Sequence, residues 1–185
     1  MAKTRKLGNK VSRLTTQQIR EKAQLFRIKL SEFGICENFQ YIDIAKVIDT
    51  LNTMDIISME IVEDSKLSKE YAVTAPDQNK ILIRESVYNN ACNGVPRDRF
   101  TIAHEIGHLL LHRGIIQIFA CSEFISNHSY EEDAEWQADM FASELLIDCN
   151  QLDNIKTVKD IADKFVVSLE CAGYAYKKLT REKFL

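Results

Sequence analysis

Nowhere in the 185 residues is there an apolar run long enough to core a signal peptide or to cross a membrane. The expected setting is therefore the cytoplasm, with no membrane contact. The five cysteines, Cys36, Cys92, Cys121, Cys149 and Cys171, are odd in number, widely spread and without any Cys-x-x-Cys pair. That argues against a disulfide frame and a thiolate metal site, and leaves reduced, mostly buried structural thiols as the expectation. There is no internal repeat and no low-complexity tract, and 45% hydrophobic content gives no reason to expect disorder. Basic charge is scarce after the first thirty residues. Residues 1–30 carry nine Lys and Arg against one acid, a local charge of +8, and the remaining chain carries −11. The basic segment reads as a solvated tail and helix face, or as a contact for an anionic partner such as nucleic acid.

What is present suits one domain with a small appendage. Residues 1–14 read as a flexible basic tail, 15–150 as the domain proper and 151–185 as a helical C-terminal extension. Thr15-Thr16-Gln17-Gln18 offers a capping-box start, after which Ile19, Ala23, Phe26, Leu30 and Phe33 recur at helical spacing up to Gly34. A second helix is expected from Tyr41 to Leu51. The segments 56–62, 71–74 and 81–83 are strand-like, with a turn at Pro76-Asp77-Gln78-Asn79, and predict a small antiparallel sheet of about three strands. The stretch holding Asn89, Asn90, Asn93, Gly94 and Pro96 reads as a polar loop. Residues 115–129 are ambiguous between buried segment and loop. Two short helices close the chain, capped by Thr157 (in a box with Asp160) and by Ser168.

The chemistry is concentrated in the segment 100–112, which contains His104-Glu105-Ile106-Gly107-His108 within an apolar, helix-forming run. His-Glu-x-x-His arises by chance on the order of once in one or two hundred chains of this composition. On a helix the two histidines share one face roughly 6 Å apart and can reach one ion. Glu105 then sits beside the metal, where a carboxylate acts as general base. A catalytic zinc needs a third protein ligand and an open fourth position. His112 lies about 12 Å along the axis from His104, too far to share a tetrahedral ion, and reads as a cap or packing residue. In the pattern that breaks the helix at a Gly and adds a later His, Leu111 stands at the Gly position and Gly114 at the His position, so that pattern is absent. The third ligand must come from the acidic helix beginning near Tyr130. Among Glu131, Glu132, Asp133 and Glu135, the choice is Glu135, because Asp139 follows four residues later and can accept the outer N–H of a zinc-bound His. Glu131 is the mirror-image candidate for that second task, while Glu132 and Asp133 read as a solvated face. Tyr88, His128 and Tyr130 are candidates for stabilising an oxyanion.

Residues 99–112, with Glu135-Trp136-Gln137-Ala138-Asp139-Met140-Phe141-Ala142 beginning 27 positions after His108, resemble the ImmA/IrrE family of metallopeptidases. The resemblance runs from Ile81 to Ile147 and extends to 161–168, with Asp139 standing where the family usually has Asn and Asp148 near its usual Pro. It implies an α+β, mainly helical zincin-like domain and an endopeptidase using Zn2+. His104, His108 and Glu135 would bind the metal, with Glu105 as general base and Asp139 orienting a ligand. The implied substrate is a specific partner protein, a helix-turn-helix repressor or an antitoxin encoded nearby. Two rival expectations stand beside it. Ala162-x-x-x-Val166-Val167-Ser168 also resembles a helix-turn-helix, so Lys177 and Lys178 could meet DNA. A zinc-containing regulatory module could also bind a protein or DNA without cutting anything.

Overall fold

The computed structural model describes residues 7–36, 41–67, 69–113 and 128–185. The ambiguous segment 115–129 lies almost wholly outside them, as does Cys121. Helix α1 (Thr16–Glu32) begins as its sequence predicts: Gln18 N–H donates to Thr15 Oγ1 and Thr15 N–H to Gln18 Oε1. It buries Ile19, Ala23 and Leu30, but Phe33 caps the helix and is exposed rather than packed. Helix α2 (Ile44–Thr53) starts three residues later than Tyr41, because Asp43 accepts from Lys46 N–H and sets the first turn.

Three strands follow, β1 (Ser58–Val62), β2 (Ala72–Ala75) and β3 (Lys80–Arg84), with β3 in the middle. The expected antiparallel sheet is corrected to a mixed one: β2 pairs antiparallel with β3, but β1 runs parallel to it. Asn79 takes the left-handed conformation that closes the β2–β3 turn. The polar stretch after β3 is not a loop. It forms α3 (Glu85–Cys92), because Val87 and Ala91, four residues apart, are buried against the core and outweigh the weak propensity of Asn89 and Asn90. Gly94, with positive φ, turns the chain into α4 (Pro96–His112). Then come α5 (Ala134–Leu146), α6 (Val158–Phe165) and α7 (Leu169–Arg181), the last two capped by Thr157 and Ser168 as their sequence predicts.

Helix α5 packs on α4 on one side and on α1 on the other. Ile102, Ile106, Phe141, Leu145 and Phe165 are all but inaccessible to solvent and contribute about 1.5–3 kcal/mol each. The α4–α5 contact depends on Gly107, where an added Cβ would lie 3.2 Å from the Ala138 Cα and O atoms and from the Phe141 ring. Three buried cations fasten the terminal helices. Arg99, wholly buried, donates to the carbonyls of Phe165, Val166 and Ile42. Glu144 on α5 accepts from Arg20 at 2.9 and 3.0 Å and from Lys178 of α7 at 2.6 Å. Cys36 and Cys149 are buried and Cys171 half-buried, but Cys92 is exposed; these four are free thiols. Among the described residues no helix is long and apolar enough to cross a membrane.

Candidate metal centre

The packing of α4 on α5 brings His104, His108 and Glu135 together. His104 Nε2 and His108 Nε2 are 3.0 Å apart, and Glu135 lies 3.4 Å from the first and 3.5 Å from the second. Ligands about 2.0–2.2 Å from a tetrahedral zinc ion are about 3.3–3.5 Å from one another, so both Glu135 distances match a single ion and the two ring nitrogens stand slightly closer than that. The donor chemistry fits too. Two ring nitrogens facing each other at 3.0 Å repel unless a proton or a cation stands between them. Two imidazoles and one carboxylate also leave a fourth position open, as in catalytic zinc sites. Among the described residues this is the group of His, Cys, Asp or Glu side chains arranged to hold a metal ion.

Each histidine is oriented from outside. Asp139 Oδ1 is 2.9 Å from His104 Nδ1, so that nitrogen carries a proton, and Nε2 is the nitrogen that presents a lone pair inward when the ring is neutral. Glu131, the mirror-image candidate, does not reach a histidine: its carboxylate pairs with Arg13 at 2.6 Å. His108 is held by a partner absent from the sequence expectations. Its Nδ1 is 3.0 Å from Nδ1 of His112, whose Nε2 is 3.1 Å from Oε1 of Gln137. Gln137 Nε2 donates to the carbonyls of Ser12 and Glu131, which identifies the amide oxygen as the atom facing His112. His112 therefore donates from Nε2 and accepts at Nδ1, His108 donates from Nδ1, and His108 Nε2 is left with its lone pair toward the metal position. His112 stands outside the cluster of His104, His108 and Glu135, and it is more than a packing residue. The available signal was its place four residues after His108 on the same face.

Burial opposes charge on His104, but hydrogen bonds to Asp139 and Glu135 outweigh it and push its pKa up to about 10. The same contacts with His104 and then His108 hold Glu135 well below the usual carboxylate range. Burial, then the neighbouring His108, push His112 down to about 4, in keeping with a neutral acceptor. Glu105 is buried, and its Oε2 accepts from Thr74 Oγ1 on β2 at 2.5 Å, so the sheet holds the carboxylate of the central motif.

Asp133 is corrected from a solvated position to a buried one: it caps α5 through Trp136 N–H and contacts His128 at 3.2 Å. Glu132 pairs with Lys10 across the surface at 3.1 Å. Of the oxyanion candidates, Tyr88 donates to Asp49 of α2, and His128 is committed to Asp133. Tyr130 is exposed, its ring edge-on to Trp136 at 5.0 Å. Lys178, a candidate phosphate contact, is buried against Glu144, whereas Lys177 is exposed.

Residues 55–177 match the model of the IrrE N-terminal-like domain, the peptidase M78 family. The chain belongs to that family. The M78 match encloses the whole cluster of His104, Glu105, His108, Glu135 and Asp139, and leaves α1 and α2 outside it. No curated protein matches the chain. Among solved structures it resembles a Mycobacterium tuberculosis transcriptional regulator, with a TM-score of 0.53 at 13% identity over 85% of this chain. The M78 chain spans 49% of that regulator, and the likeness is one of fold.

Proposed function

We propose that the chain is a zinc-dependent endopeptidase that cleaves a specific partner protein, a helix-turn-helix repressor or an antitoxin. The observation that carries this reading is the convergence of His104, His108 and Glu135 at 3.0–3.5 Å, with Glu105 held next to them in α4. The partner's identity rests on the family resemblance alone.

A zinc ion held by His104, His108 and Glu135 would supply a Lewis acid for the scissile carbonyl. The chain's own groups do the rest. Asp139 and the His112–Gln137 pair keep both imidazoles in the tautomer that points Nε2 inward. Thr74 leaves Glu105 Oε1 free while bonding Oε2, so the carboxylate is oriented to take a proton from the attacking water. Glu105 then returns that proton to the departing amine, and the peptide bond breaks with one water consumed.

Glu105→Gln separates cleavage from binding. It is expected to retain zinc, measured by elemental analysis, and to cut the neighbouring gene's product about 10²- to 10⁴-fold more slowly than wild type. Equal persistence of that partner with both proteins, while both bind it, would establish a binding module instead of a peptidase.

A further inference from the structure

We propose that residues 7–14, outside the span shared with the M78 family, form a strap that is a working part of the metal centre and sets the orientation of His108 and Glu135. The inference rests on the zinc reading above. The strap runs antiparallel to the entry of α5: Val11 N–H donates to Glu132 O at 2.8 Å, Leu14 N–H to Glu131 O at 3.0 Å, and Ala134 N–H to Asn9 O at 3.0 Å. Gly8 N–H donates to the Asp133 carboxylate at 2.5 Å, and Val11 is buried. The expected flexible tail is, over these residues, hydrogen-bonded across more than a hundred positions of sequence.

Two of the three ligands depend on this segment. The first connection is through hydrogen bonds. The Ser12 carbonyl takes one amide proton of Gln137 at 2.8 Å and Glu131 O takes the other at 2.7 Å, so Gln137 can offer only its oxygen to His112. The rest of the chain of bonds then follows to His108 Nδ1. Without the Ser12 carbonyl the amide is held by Glu131 O alone and turns over more readily, and His112 can then present the wrong nitrogen. The second connection is steric. A Cβ at Gly8 would lie 2.5 Å from Cγ of Glu135, 3.3 Å from its Cβ and 3.4 Å from its backbone nitrogen. The strap therefore lies flat on the stem of the carboxylate ligand, and a side chain at position 8 displaces that ligand.

Gly8→Ala and Gln137→Leu act on these two connections separately. Zinc affinity is read by competition with a chromophoric chelator, and ligand geometry by the visible d–d spectrum of the cobalt(II)-substituted protein. Both variants are expected to bind zinc about 10- to 100-fold more weakly than wild type and to change the cobalt spectrum. Arg13→Ala, which removes only an exposed ion pair of the strap, is expected to do neither. Circular dichroism of the metal-free proteins serves as the control for folding. Wild-type affinity and spectrum in both Gly8→Ala and Gln137→Leu overturn the proposal, as does a loss of affinity that merely parallels loss of folded metal-free protein. Failure of wild type itself to bind zinc overturns the metal reading, a distinct result.

Discussion

His104 and His108 present the same ring to the metal position, yet their outer nitrogens meet different partners, and this gives the site its pH behaviour. His104 faces two carboxylates, and its pKa is raised from near 6.5 to about 10. In the metal-free protein its protonated form thus contributes stability that is full below pH 6.5 and lost as pH rises through about 10. Glu135, with its pKa lowered, contributes above the ordinary carboxylate range and loses that contribution as pH falls below it. On the proposed reading, zinc would displace the His104 proton. At pH 8, calorimetric titration in two buffers of different ionisation enthalpy is expected to give about one proton released per zinc bound. Release of none would mean that the two carboxylates do not hold His104 protonated. The grouping of His104, His108 and Glu135 was legible because the two histidines stand four apart on one helix and Glu135 stands four before Asp139 on another, in a pattern that resembles the family's. His112 was not, because its role depends on the tautomers of two neighbours and on a carbonyl 100 residues earlier.

Helix α4 can bring its histidines to Glu135 only because Gly107 lets it approach α5 closely. Gly107→Val is expected to destabilise the protein by about 1–3 kcal/mol through overpacking. It should also weaken zinc binding, because the helix that moves carries two ligands; urea unfolding and chelator competition measure the two effects. Unchanged zinc affinity in a destabilised variant would show that the ligands adjust independently of helix spacing. At this scale, capping residues were the most readable signals: Thr15, Thr157 and Ser168 each cap where their sequence predicts. The same local logic failed at α3, where Asn-rich sequence is overruled by the burial of Val87 and Ala91. It also failed for strand direction, since a strand-like residue pattern does not fix whether β3 runs with β1 or against it.

Over the whole molecule, the split of His104, His108 and Glu135 between α4 and α5 makes the candidate centre a product of tertiary packing, and the buried cations extend that dependence to the C-terminus. Arg99 is wholly buried and sits one turn before His104 in the helix that carries the metal motif, with its guanidinium bonded to the end of α6. Pulling α6 and α7 away would strip that charge of its Phe165 and Val166 acceptors and leave it only the Ile42 carbonyl, at a cost of several kcal/mol, and would also remove Lys178 from Glu144. The terminal helices therefore have no inexpensive partial opening of their own. In native-state hydrogen exchange, amides of Ile102 and Ile106 in α4 and of Phe165 in α6 are expected to share one opening free energy, close to that of global unfolding. Exchange of the α6 amide through a much less costly opening would refute this. If the energies coincide, a single cooperative unit spans the metal motif and the chain's end, and any event that releases the last two helices also dismantles the ligand face of α4.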